Sequence, residues 1–244
     1  MIRVLNVFQV LFLLVFTGIC GIVGSLIMLI TRNTDWVLRY IPALWHRVVF
    51  AVCLARVRVY GRENIPKEGY HIYTSNHESS LDIAAVVRAV PLPLYFIVKK
   101  ELRKVPVLGI YIRLADMIFV DRGNRDAALK SMQNAARLIK GGKNVIVFPE
   151  GTRSKTGELL QFRKGSFKIA CDGNIGVVPI AIVGTREVNP SGSFKLNPGT
   201  VKIQIGQPIY PHDHPEFNAE KLADFTRQRV DEMRRELRSK SKEN

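Results

Sequence analysis

The chain has 244 residues, 47% of them hydrophobic, which suits one sizeable globular domain with an appendage and excludes global disorder. Against 21 Asp and Glu stand 36 Lys and Arg, a formal charge of +15 that speaks to partners, an anionic membrane or a nucleic acid, rather than to fold. The three widely spaced cysteines, Cys20, Cys53 and Cys171, form neither a disulfide framework nor a zinc-ligand pattern, and read as small buried apolar residues in a reducing, cytosol-facing protein.

Val4 to Ile30 is a run of 27 positions without a charge. At about 1.5 Å per residue, a helix of that length can cross a hydrocarbon core of roughly 30 Å. A cleaved signal peptide has an apolar region of only about 7–15 residues and a small-residue cleavage site. The longer run here, followed by Arg32 and Asn33, predicts a retained anchor. Asn6, Gln9 and Thr17 interrupt it, so the helix is tilted or sits in one leaflet. Basic residues lie mainly after the run (Arg32, Arg39, Arg47, Arg56 and Arg58, against Arg3 before it), which places the rest of the chain on the cytoplasmic face of the inner membrane. The charge is therefore read as a membrane signal, and no nucleic-acid partner is expected. Asp35 to Val57 reads as a second helix whose Trp36, Tyr40, Trp45 and arginines suit either the headgroup zone or a domain core. Pro42 predicts a kink or break within it. Residues 1–57 are thus expected to be membrane-associated helices, and residues 58–244 the globular domain.

Beyond them, short β-rich runs alternate with helical stretches. The predicted strands are Arg56–Tyr60, Tyr70–Ser75, Leu94–Val98, Met117–Val120, Asn144–Phe148, Gly176–Val183 and Thr200–Gly206. The predicted helices are Ser80–Ala89, Glu101–Leu114, Arg125–Lys140, Lys164–Asp172 and Asn218–Ser239. Such alternation predicts an α/β fold, with a mixed, largely parallel sheet flanked by helices. The basic tail from Arg227 to Asn244 reads as a solvated helix that frays.

Four of the predicted strands end in chemistry-bearing residues. After the first comes Asn76-His77-Glu78-Ser79-Ser80-Leu81-Asp82. Ser79 and Asp82 match an S-x-x-D capping pattern, so a helix is expected to start near Ser80. An imidazole at the strand end can meet a carboxylate in the first helical turn. Histidine is suited to taking a hydroxyl proton near neutral pH, and a carboxylate on its other nitrogen fixes the tautomer. The plain alternative is that Asp82 only serves the helix N-terminus. Phe148-Pro149-Glu150-Gly151-Thr152-Arg153-Ser154 follows another strand, with Gly151 permitting unusual backbone angles and Arg153 offering a forked phosphate donor. Glu150 paired with Arg153 in a polar loop is the plain reading there. Lys99-Lys100-Glu101-Leu102 and Phe119-Val120-Asp121-Arg122 end two more strands. Taken singly these charges are solvated surface; taken together they predict one convergent anion site, where ligands bind in α/β sheets. Val178-Pro179-Ile180 reads as plain core, with the proline at an edge or bulge.

In this order, NHESSLD, KKEL with the later Pro106 and Gly109, FVDR, FPEGTRS and VPI resemble the glycerolipid acyltransferases, and the layout of the whole chain is similar to the bacterial 1-acyl-sn-glycerol-3-phosphate acyltransferases. The resemblance implies a single acyltransferase domain behind a membrane-anchoring helical segment. It implies acyl transfer from a thioester, acyl-coenzyme A or acyl-carrier protein, to the sn-2 hydroxyl of lysophosphatidic acid, giving phosphatidic acid in phospholipid biosynthesis. His77 would be the general base and Asp82 its orienting partner; Lys99, Arg122 and Arg153 would hold the phosphate; Glu150, Gly151 and Thr152 would shape the site. No metal and no cofactor beyond the acyl donor are implied. One position departs: where the family often has glycine three residues before the Phe of FVDR, this chain has Asp116, an unfavourable carboxylate if it faces a phosphate.

The chemistry stands without the resemblance, because a thioester donor needs only an activated alcohol and oxyanion stabilisation. The absence of a G-x-S-x-G elbow argues against a serine-triad lipase. The alternatives are an acyltransferase for another lysolipid, a membrane phospholipase or thioesterase in which His77 activates water, and a non-catalytic binder of anionic lipid.

Overall fold

The computed structural model describes residues 2–121, 123 and 125–239. Arg122 and residues 240–244 lie outside the described residues, and so does the proposed phosphate contact at Arg122. Two helices open the chain, α1 (Ile2–Thr31) and α2 (Thr34–Val52). Strand β1 (Ala55–Tyr60) follows, then β2 (Ile72–Ser75), α3 (Asp82–Ala89), β3 (Leu94–Lys99), α4 (Leu108–Leu114), β4 (Ile118–Val120), α5 (Arg125–Lys140) and β5 (Asn144–Val147). The chain closes with α6 (Gly165–Gly173), β6 (Val177–Val183), α7 (Thr185–Val188), β7 (Gly199–Ile205) and α8 (Ala219–Ser239).

The strands form one seven-stranded sheet in the order β1-β7-β6-β2-β5-β3-β4. The five strands β6, β2, β5, β3 and β4 run parallel; β7 is antiparallel to β6 and parallel to β1. This is the mixed, largely parallel sheet expected. Its central strands are buried on both faces and read as apolar runs, as in β6, where all seven residues are buried, while the edge strand β1 alternates. Tyr73, Ile146, Val178 and Ile180 pack with Ala84 and Ala85 of α3 and Val49 and Phe50 of α2 on one face. Ile72, Val145 and Val177 pack with Ile139 of α5, Phe167 of α6 and Leu222 and Val230 of α8 on the other. Because five strands are parallel, the ends of β2, β3, β4, β5 and β6 open onto the same edge of the sheet.

Several boundaries differ from those the sequence predicts. The second helix stops at Val52, because Leu54 adopts φ 53° and turns the chain into β1, so a sheet strand begins before residue 57. Pro42 sits inside α2 without breaking it. The single helix expected over Glu101–Leu114 is two pieces, a 3-10 segment at Lys100–Lys104 and then α4. Pro106 and the positive φ of Val107, 62°, separate them. Helix α3 starts at Asp82, not near Ser80. Half of the expected capping pattern holds: Asp82 Oδ2 accepts the Ser79 N–H at 2.8 Å, while the Ser79 hydroxyl donates to the Asn189 carbonyl and accepts from Leu81 N rather than from the N–H of residue 82. Pro179 lies in an interior strand, not at an edge. Opposite it, Gly206, Gln207 and Pro208 face only Val178 and Pro179 between the pairs Ile180–Ile205 and Val177–Ile209, so the bulge half of the expectation holds. The tail is not merely solvated: Val230, Met233, Arg234 and Leu237 of α8 are buried. Asp116 has φ 57°, a left-handed position that glycine fills at no steric cost and Asp tolerates, and its side chain is exposed.

Among the described residues α1 is the one helix long and apolar enough to cross a membrane. Its Phe8, Leu11, Phe12, Val15 and Ile19 are exposed, while Asn6, Gln9, Thr17 and the buried Ser25 face the protein. Asn6 donates to the Leu196 carbonyl, Gln9 to the Val52 carbonyl, and Thr17 accepts from the Trp45 indole, at 2.9, 2.6 and 3.0 Å. Further along, a Cβ on Gly21 would meet Val107 at 2.9 Å and one on Gly24 would meet Tyr111 at 2.7 Å, so glycine is what lets α1 approach α4. The helix thus touches the rest of the chain from Asn6 to beyond Gly24.

Candidate active site

Strand β2 ends at Ser75 and delivers His77 to the open edge of the sheet. Both backbone groups of His77 are held by the loop after the neighbouring strand β5. Its N–H donates to Glu150 Oε1 at 2.6 Å, and its carbonyl accepts from Ser154 N at 2.8 Å. Phe148 stacks on the imidazole with ring centroids 4.2 Å apart. Asn76, just before, bonds both ways to Ile182 of β6, at 2.9 and 2.8 Å, and anchors the turn from its other side.

Asp82 opens α3 and reaches back. Its Oδ2 lies 2.8 Å from His77 Nδ1 and also accepts the N–H groups of Glu78 and Ser79, at 2.6 and 2.8 Å. Its Oδ1 accepts from the Thr185 hydroxyl, just beyond β6, at 2.5 Å. The carboxylate is fully buried and accepts four donors, three on Oδ2 and one on Oδ1. An ionised carboxylate in that position makes Nδ1 the protonated nitrogen, so Nε2 carries the lone pair. The ring is 15% exposed, and Nε2 has no hydrogen-bond partner among the described residues. The pair can therefore accept a proton from a bound hydroxyl and stabilise the imidazolium that results.

Glu150 is 4% exposed and does not pair with Arg153, as the plain reading would have it; its Oε2 accepts from Leu160 N at 3.0 Å. Burial pushes its carboxyl up to about 7, against the pull of the Leu160 and His77 N–H groups and Arg234. A carboxyl raised in the native state holds a proton that the unfolded chain has released. Its stabilising contribution is complete below 4.5 and is lost as pH rises to about 7. Glu150→Gln is expected to remove roughly 3 kcal/mol of that pH-dependent loss. Urea unfolding in detergent at several pH values across this window checks it; equal slopes for variant and wild type would contradict it.

Arg153 donates to Ser80 Oγ at 2.8 Å, so its guanidinium stands beside the turn that bears His77. Gly151 has φ 72°, and a Cβ there would meet the Arg163 guanidinium at 2.8 Å. Thr152 is exposed on the same loop. Lys99 is exposed at the end of β3 and faces Glu101 at 3.5 Å, while Lys100 pairs with Asp121 across β3 and β4. The described contacts join His77, Asp82, Glu150 and, through Ser80, Arg153; they do not join Lys99 to that group. Thr185, Asn76 and Phe148 complete the site, though the sequence motifs assign them no role. Thr185 was within reach as the polar residue closing one more strand end.

An apolar cavity of about 240 Å³ lies among α1, α2, α3, β3 and α4. Cys20 and Gly21 of α1, Ile41 and Trp45 of α2, and Phe96 and Val98 of β3 line it, together with Ile83, the residue after Asp82 in α3. The three cysteines are free.

A family model described as acyltransferase matches residues 56–183. A 1-acyl-sn-glycerol-3-phosphate acyltransferase of Chlamydomonas reinhardtii is 35% identical over 177 residues, 72% of this chain, which spans about half of that relative (52%). The Saccharomyces cerevisiae protein of the same name is 30% identical over 88% of this chain and 71% of its own length. The crystal structure of the 1-acyl-sn-glycerophosphate acyltransferase of Thermotoga maritima superposes with a TM-score of 0.81 at 30% identity, covering 98% of both chains.

Proposed function

Since the chain belongs to the acyltransferase family, we propose that it transfers a fatty acyl group from an acyl thioester to the sn-2 hydroxyl of lysophosphatidic acid, giving phosphatidic acid. The observation that carries this reading is the His77–Asp82 contact at 2.8 Å with Nε2 left open at the sheet edge. His77 Nε2 takes the hydroxyl proton as the oxygen attacks the thioester carbonyl. The tetrahedral intermediate collapses with the C–S bond breaking, and the imidazolium returns its proton to the departing thiolate. Asp82 keeps Nδ1–H directed and offsets the imidazolium charge. The acceptor alcohol is the nucleophile, so no enzyme-bound acyl group forms.

Arg153 binds the acceptor phosphate, with Lys99, at the end of β3, and Arg122 as further cations; Glu150, Gly151 and Thr152 shape the loop around it. The apolar cavity between α1, α2 and β3 receives an acyl chain. The relatives' names support lysophosphatidic acid as acceptor, and the donor is acyl-coenzyme A or acyl-carrier protein, both acidic and suited to a chain of charge +15. The protein works at the cytoplasmic face of the inner membrane. About 1.5 Å of rise per residue separates contacts spread along nearly all of α1, so that helix lies along the domain with its apolar side in one leaflet.

The test is purified protein with lysophosphatidic acid and each thioester. Phosphatidic acid as product supports the reading; free fatty acid alone, with acceptor present, sinks it in favour of a hydrolase. Arg153→Ala is expected to raise KM for lysophosphatidic acid about 10-fold or more by removing a charge-assisted contact. A fall confined to kcat would show that Arg153 does not bind the phosphate.

A further inference from the structure

Arg234 is 2% exposed in α8, outside residues 56–183, yet it reaches the turn that carries His77. Its Nη2 donates to Glu78 Oε1 and, at 2.6 Å, to the Gly157 carbonyl. Arg238, one turn on, donates to the same carbonyl at 3.2 Å, and Arg234 Nη1 lies 3.6 Å from Asp231. Glu78 sits at the centre of the turn. Its N–H donates to Asp82 Oδ2, the oxygen that holds His77 Nδ1, and its Oε1 accepts from Asn76 at 3.3 Å. Gly157 closes the loop that bears Glu150 and Arg153, and its N–H donates to Ser154 Oγ, whose own N–H holds the His77 carbonyl. One buried guanidinium therefore joins the loop of the proposed base to the loop of the proposed phosphate contact.

Stability alone is a poor account of this pair. Taking two charges out of water costs several kcal/mol each in real proteins, and well-packed apolar residues of similar volume are often as stable or more so. The Arg234 Nε, moreover, is buried without a partner among the described residues, a further cost. What the ion pair adds is direction: it fixes the Glu78 side chain and thereby aims the Glu78 N–H at Asp82. Resting on the acyl-transfer reading above, we infer that Arg234 is a positioning residue, through which the C-terminal helix sets the geometry of the His77–Asp82 pair.

The test compares the full-length wild type with the double variant Glu78→Gln/Arg234→Met, in which no charge is left buried alone. The deciding readout is the downfield Nδ1 proton resonance of His77 in protein carrying 15N-labelled histidine, assigned by its absence in His77→Ala. In the folded double variant that resonance is expected to shift or to be lost to exchange, with kcat down about 10- to 100-fold, the usual cost of about 1 Å of misplacement. Arg234→Lys, which keeps the charge without the planar fork, is expected to fall between. An unchanged resonance in the folded double variant overturns the inference whatever happens to kcat. Should that variant not fold, Glu78→Gln alone, which keeps the shape of the side chain, carries the same test with the same two outcomes. A wild type that transfers no acyl group overturns the acyl-transfer reading instead, and leaves the resonance comparison intact.

Discussion

His77→Ala is expected to lower kcat for acyl transfer by about 10³-fold or more while leaving lysophosphatidic acid binding in place. The imidazole is the one group at this turn placed to take a proton. Its Nδ1 is bound to Asp82, and its Nε2 faces no partner among the described residues. The position itself does not depend on the ring, because the backbone of residue 77 is held by Glu150 and by Ser154 N. Alanine there loses the stacking on Phe148 but keeps both backbone bonds. The variant should therefore fold and bind lipid vesicles as the wild type does. Steady-state phosphatidic acid formation, with vesicle binding as the control, checks this. Near-normal turnover would leave a non-catalytic lipid binder as the better reading.

Asp82→Asn should cost about 10²–10⁴-fold in kcat, for a different reason. The amide is nearly isosteric, and its oxygen can take the place of Oδ2 and keep the donors from Glu78, Ser79 and His77. Its nitrogen then faces Thr185 Oγ1, which must turn from donor to acceptor. What is lost is the negative charge that offsets the imidazolium. The amide oxygen still accepts Nδ1–H, but it favours the tautomer with Nε2 free more weakly than a carboxylate does. The fold has more at risk here than with His77, since the group is fully buried with four donors, so melting temperature must be followed beside kcat. A folded variant with turnover within about threefold of the wild type would show that Asp82 neither orients nor stabilises the ring.

Much of this architecture was legible in the chain. All seven strands fall within a residue or two of their predicted positions: the central parallel strands read as apolar runs such as Val177–Val183, and the outer β1 and β7 as Val and Ile alternating with polar residues. The motif residues were legible for a topological reason: each follows a strand, and parallel strands send their ends to one edge. What the sequence concealed were interactions across long separations. Arg234 reads as one more cation in a basic tail, and only the docking of α8 shows it beneath the histidine turn. Thr185 lies 103 positions from the carboxylate it serves. The helix boundaries failed where single residues adopt positive φ, at Leu54 and Val107, which no propensity for those side chains foretells. The polar residues of α1 hinted at one leaflet without settling the point; their partners at Leu196, Val52 and Trp45 account for them as packing contacts along the domain.

The proposed proton transfer stands or falls on where the lysolipid hydroxyl sits. A structure of the protein with lysophosphatidic acid bound measures it directly. The expected result is the sn-2 oxygen within about 3.2 Å of His77 Nε2, with the phosphate on Arg153. A bound lipid whose hydroxyl points away from that nitrogen, with the ring still held by Asp82, would contradict the proposed proton transfer.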